Sequence, residues 1–144
     1  MKKTILALAV ILTIGMTSAF ANEDINQNAV ASFRKDFATA RNVSWQQSRN
    51  YVKATFDLNN QVMYAFYNYR GELMAVIHHI LSNELPGDLE SALKKEYREY
   101  WVSDLFELSS DDQHLYYVTL ENADTTIVLK SDGSSGWKYY KKLK

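Results

Sequence analysis

The chain has 144 residues, 47% of them hydrophobic, with one proline, five glycines, no cysteine and a formal charge of −1. So few breakers argue against a disordered or linker-rich protein, and the absence of cysteine excludes disulfide stapling. Without a basic excess, bulk charge gives no footing for a nucleic-acid or anionic-membrane partner.

The N-terminus reads as a targeting segment. Met1-Lys2-Lys3 is a short positive region, residues 4–15 are almost unbroken apolar sequence, and Ala19-Phe20-Ala21 supplies the small-x-small pattern of a signal-peptidase site. A run of this length is too short for a membrane span, which needs roughly 20 residues. Residues 1–21 are therefore expected to be a cleaved signal peptide, cut after Ala21. Residues 22–144 are expected to form a single exported domain, periplasmic or secreted, with no stable membrane insertion. No cysteine follows the apolar run, which closes the lipoprotein route. Loss of Lys2 and Lys3 lowers the basic count from 16 to 14 against 17 acids.

The first predicted helix lies in "NQNAVASFRKDFATARN", where Val30, Phe33, Phe37 and Ala40 recur at helical spacing and Arg34, Lys35 and Asp36 turn outward. Strands follow near 43–47, 51–58, 61–69 and 72–80, punctuated by Asn59-Asn60 and Arg70-Gly71 as two-residue hairpin turns. The second helix lies in "LPGDLESALKKEYREYW", with Asp88 as the expected cap and Leu89, Ala92, Leu93, Tyr97 and Tyr100 as its apolar stripe. Strands near 102–108, 114–121, 124–131 and 136–141 follow, with Asp132-Gly133 as a turn and a longer loop at 109–113. The segments "ATFDLNNQVMYA" and "VTLENADTTIVL" share a hydrophobic pattern. The chain thus says the same thing twice, in α-β-β-β-β repeats at about 26–81 and 86–143. Strands in runs after a helix place it in the α+β class.

The turns fix an expected register. Asn59-Asn60 sets Phe56 against Met63, Ala54 against Ala65 and Val52 against Tyr67 on one face, the natural floor for the helices. Arg70-Gly71 adds Met74, Val76 and Ile80 to that face. The second face then carries Tyr51, Lys53, Thr55, Val62, Tyr64, Phe66, Leu73, Ala75, Ile77 and His79, joined by Tyr117, Thr119, Val128, Trp137 and Tyr139 from the other half. It is rich in rings yet has no helix to cover it.

"VASFRKDFATARNVSW", the strand "YVKATF", and "RGELMAVIHHI" leading into "ELP" resemble the PepSY-like family related to the bacterial beta-lactamase-inhibitor proteins. The resemblance spans residues 30–143, with Asn42-Val43-x-Trp45 and Ile80 followed by Leu85-Pro86 as landmarks. It implies tandem helix–sheet repeats, helices on one side and an open concave sheet surface on the other. In inhibitor relatives that surface grips a protein, and PepSY domains are associated with peptidase propeptides and restraint of peptidase activity. The family brings no catalytic residues.

The residues themselves offer no chemistry of that kind. His78 and His79 are neighbours on a strand and point to opposite faces, so they cannot chelate one ion together; no metal or cofactor site is expected. Asp57, His79 and a serine lack the nucleophile elbow and oxyanion loop of a hydrolase. Asp111-Asp112 lacks the alternating oxygen ligands of a calcium loop. The expectation is a non-enzymatic module that binds a protein or peptide through Tyr51, Lys53, Tyr64, Phe66, Ile77, His79, Tyr117, Trp137 and Tyr139. Tyrosine and tryptophan suit such a role because they bury much area while keeping a polar tip. Tyr64 and Phe66 are expected to be replaceable without unfolding the domain. The same face closing a homodimer of a structural envelope protein is the rival expectation; a small ligand in the concavity is a third.

Overall fold

The computed structural model describes residues 24–144; the signal-peptide expectation lies outside them. The order is α1 (Gln27–Asp36), β1 (Arg41–Gln47), β2 (Val52–Leu58), β3 (Gln61–Tyr67), β4 (Leu73–His79), a short 3-10 turn (Ser82–Glu84), α2 (Gly87–Glu96), β5 (Trp101–Ser109), β6 (His114–Glu121), β7 (Thr126–Ser131) and β8 (Lys138–Lys142). A helix followed by four strands thus occurs twice. All eight strands form one antiparallel sheet in sequence order, because β4 pairs with β5 through Ile77–Leu108 and His79–Phe106. The fold is α+β, with both helices on one side of an open sheet.

Each helix is pinned by rings. Asn26 caps α1 by accepting from the Ala29 N–H at 3.0 Å. Ala29 and Phe33, rather than Val30, are the buried positions of α1. The Phe33 ring lies 4.9 Å from Phe56, 5.2 Å from Trp45 and 5.4 Å from Phe37, and such pairs add about 0.5–1.5 kcal/mol each beyond their area. Below them Val52, Ala54, Ala65 and Tyr67 complete the first core cluster. In α2 the cap position is Pro86, with no side-chain cap bond. Asp88 therefore does not cap; it sits inside the first turn beside Glu90 and complements the helix dipole there. Leu89 and Leu93 pack on Ile80, Leu85, Leu105, Val118, Leu120 and Leu129.

Asn59 and Asn60 both take positive φ, 52° and 63°, which is what a two-residue hairpin of matching twist requires. The β2–β3 register is accordingly the expected one, with Phe56 against Met63 and Val52 against Tyr67. The next turn departs from expectation. Asn68 and Glu72 close the loop, with Gly71 at φ 81°, so three residues rather than two lie between them. Met74 is then an extra residue in β4, and from Phe66–Ala75 onward the expected register returns. The consequence is an exchange: Leu73 joins the α1 side and Met74 the opposite face. The second half repeats the device, with Tyr140 the extra residue of β8, and both β1 and β5 carry an irregularity near their starts. Bulges of this kind bend a strand and increase its twist.

Candidate functional site

The face turned away from the helices is a core in its own right. Phe66, Ala75, Ile77, Phe106, Leu108, Leu115, Tyr117 and Val128 form one buried cluster, flanked by Tyr51, Tyr64, Met74 and Tyr140. Every member is a sheet residue except Tyr51, which precedes β2. Neither helix contributes, so the bent sheet covers these side chains itself. The rings run in file across the strands. Tyr64 meets His79 at 6.1 Å, His79 meets Phe106 at 6.3 Å, Phe106 stacks on Tyr117 at 5.1 Å, and Tyr117 meets Tyr140 at 5.5 Å. Tyr51 extends the floor by its edge contact with Phe66 at 5.4 Å.

Of the nine expected contact residues, seven are together on this face: Tyr51, Lys53, Tyr64, Phe66, Ile77, His79 and Tyr117. They divide into two layers. Phe66, Ile77 and Tyr117 are 2%, 3% and 4% exposed and belong to the core, too deep to form a contact surface by themselves. Tyr51, Lys53 and Tyr64 are half-buried and His79 is exposed, so these four are what a partner meets. Trp137 and Tyr139 are elsewhere. Trp137 lies on the α2 side and donates from Nε1 to the Leu89 carbonyl at 2.9 Å. Tyr139 pairs with Leu129 on that same side and is 64% exposed. Their misplacement has one cause: the bulge at Tyr140 and the long 132–137 connection set a register that no two-residue turn signal announces. Phe106, Leu108, Leu115 and Tyr140, which the sequence argument did not single out, complete the face. Period-two alternation of Phe106 with Leu108, read across from Ile77, is the signal that finds the first two.

The charges on this face are unevenly matched. Asp104 holds His79 through Oδ1–Nδ1 at 2.9 Å, and Asp57 accepts from Asn42 at 2.6 Å. Lys53 stands over the Tyr64 ring, Nζ 5.3 Å from its centroid, and burial pulls its ammonium pKa below the usual lysine value. Burial, with Tyr140 adding to it, pushes the Tyr117 hydroxyl up to about 12.

On the helix side, Glu107 lies between two imidazoles, Oε2 at 3.8 Å from His78 Nε2 and Oε1 in contact with His114 Nε2. His78 is thus an interior residue of β4 pointing away from His79, as alternation requires. Among the described residues no group of three or more metal-ligating side chains is arranged to hold an ion, and no helix is long and apolar enough to cross a membrane.

Solved structures with this arrangement exist. A BLIP-like protein from Bacteroides fragilis superposes with a TM-score of 0.75 at 16% identity, over 85% of this chain and 89% of that one. The fold is BLIP-like. A DUF2874 family protein from Bacteroides uniformis gives 0.75 at 16% identity, over 81% of this chain and 88% of that one. A protein from Bacteroides eggerthii, assigned provisionally to the periplasm, gives 0.75 at 12% identity over 85% and 91%. No protein-family model and no curated protein matches the sequence. At these identities the BLIP-like architecture is what the chains share, and it is the inhibitor-related half of the resemblance read from residues 30–143.

Proposed function

We propose that this chain is an exported, non-enzymatic binding module of the cell envelope that takes a protein or peptide segment onto the second sheet face. The observation that carries this reading is the two-layered aromatic face. Buried Phe66, Ile77, Phe106 and Tyr117 make a rigid floor, and above it Tyr51, Lys53, Tyr64 and His79 remain accessible. Rigid rings held by packing lose little freedom on binding, which favours affinity. Lys53 is half-buried and forms no ion pair among the described residues, and its desolvation cost is one that a partner's acid would offset. The likeness to a BLIP-like protein supports a protein partner. In this reading residues 1–21 are removed on export, the two helix-plus-four-strand halves are PepSY-like repeats, and the partner is an envelope or secreted protein whose activity is restrained on binding.

The test is affinity capture from an envelope extract, comparing the wild-type chain with Tyr64→Ser. A protein retained by the first and lost by the folded variant supports the docking face. Retention of the same proteins by both baits overturns it. Recovery of only further copies of this chain reassigns the face to a homodimer, which light scattering would register as doubled mass.

A further inference from the structure

The second face carries opposed lysines at one end of its strands. Asp57 and Asp104 lie toward the end where β2 finishes and β5 starts, whereas Lys53, Lys130 and Lys138 lie toward the opposite end, where β2 and β8 start and β7 finishes. Lys130 opposes Tyr117 across β6–β7 and Lys138 across β7–β8, so all three share the face. Lys141, opposite Val128, lies on the same face but further toward the end where β8 finishes. The Lys130 ammonium stands 5.7 Å from the Tyr117 ring centroid. Lys130 and Lys138 are thus like charges on directly opposed positions, an arrangement that destabilises a sheet.

Among the described residues no ion pair reaches Lys130, Lys138 or Lys141. Asp112 and Asp132 border the same depression, together with Leu115 and Tyr140. The Asp132 carboxylate, however, already accepts from the backbone N–H groups and hydroxyls of Ser134 and Ser135, and Asp112 is on the exposed β5–β6 turn. Lysines on an edge strand guard against edge-to-edge aggregation, which accounts for those of β8. It does not account for Lys130, which sits on interior β7 and faces inward.

We infer that the lysine-bearing end of this face receives an acidic segment of polypeptide, whose carboxylates meet Lys130 and Lys138 while its apolar atoms rest on Tyr140. The inference rests on the docking-face reading above and names the chemistry of the partner. A polypeptide fits better than an anionic bilayer because Lys130 and Lys138 line a depression with buried Leu115 and half-buried Tyr140, which a flat headgroup surface does not enter.

The test is fluorescence anisotropy of a short glutamate-rich peptide, with a lysine-rich peptide as control, against the wild-type chain and Lys130→Gln/Lys138→Gln. The acidic peptide is expected to bind, to weaken as salt rises toward about 0.15 M, and to lose about tenfold in affinity in the double variant. The thermal midpoint of that variant is expected to hold or rise, because the opposed charges are gone. Acidic and basic peptides binding alike, or a double variant that binds as wild type does, overturns the inference. So does wild-type binding to phosphatidylglycerol vesicles with none to the acidic peptide. Capture lost in Tyr64→Ser while the acidic peptide fails leaves the docking face standing and removes only its charge preference. Unchanged capture in Tyr64→Ser removes the docking face itself.

Discussion

The Tyr67 hydroxyl, at the end of β3, donates to Asp36 Oδ2 at 2.8 Å, where α1 terminates. The ring of Tyr67 is wholly buried, so one polar contact locks the last turn of the helix onto the centre of the first half-sheet. Burial, the hydrogen bond to Asp36 and the charge of that carboxylate all hold the Tyr67 hydroxyl well above the ordinary tyrosine pKa. Tyr67→Phe is expected to cost about 1 kcal/mol, since Asp36 is exposed and regains water. Urea denaturation of the two chains measures it, and an unchanged midpoint would show the bond to be idle.

Alkaline pH provides a second prediction. Tyr67, Tyr97, Tyr116 and Tyr117 are all raised in the folded chain, chiefly by burial. In the unfolded chain tyrosines ionise near pH 10. Above that pH the folded state therefore binds more protons than the unfolded one, and stability falls as pH rises. For Tyr117 the loss runs from about pH 10 to about 12. Thermal midpoints across that window should decline, and less steeply in Tyr117→Phe. Parallel curves for the two chains would refute the assignment to Tyr117.

The two layers of the aromatic face predict opposite behaviour for adjacent-facing rings. Phe66→Ala removes a buried side chain and should cost about 3–5 kcal/mol, enough to unfold a large fraction of the chain. Tyr64→Ser removes a half-buried ring and should leave a cooperative transition. Circular dichroism melts of both decide it, and equal losses would mean that the face has no accessible layer.

Trp137 is expected to report on the α2 contact. Trp137→Phe deletes the Nε1 bond to the Leu89 carbonyl while retaining most of the packing, at about 0.5–1.5 kcal/mol. Trp137→Ala adds a cavity and should cost about 3–5 kcal/mol. If both variants melt with the wild type, the β7–β8 connection does not anchor on the helix.

Gly71 is predicted to resist replacement. Its φ is 81°, and a Cβ there would lie 2.7 Å from the Asn28 carbonyl oxygen in α1. Gly71→Ala therefore combines left-handed strain of about 1–2 kcal/mol with a backbone clash. A melt indistinguishable from wild type would show that the loop and α1 yield freely.

Most of the architecture was legible because its signals are local. Helical spacing around Phe33 and Leu93, and a pair of asparagines tolerant of positive φ, specify elements and register over a few residues. What escaped depended on single extra residues. Met74 and Tyr140 carry no composition that marks them as bulges, yet each shifts a strand by one position, and a one-residue shift exchanges faces. That is why Leu73 and Met74 trade places and why Trp137 and Tyr139 leave the expected surface. Burial was misjudged for a different reason. Period-two patterning tells which face a side chain takes, but not how far the sheet bends over it, so Phe66, Ile77 and Tyr117 read as surface although they are core.

The strictly sequential strand order has a consequence for how such a chain can come into being. Each strand from β2 to β8 pairs with the one made immediately before it, so no strand waits for a distant partner to be synthesised or threaded through a pore. Contacts that are close in sequence close short loops, and short loops form quickly. A chain emerging N-terminus first can add its strands one at a time, and the unpaired edges it presents to its neighbours are β1 and the strand most recently added. In the folded sheet the later of the two edges is β8, whose sequence is Lys-Tyr-Tyr-Lys-Lys.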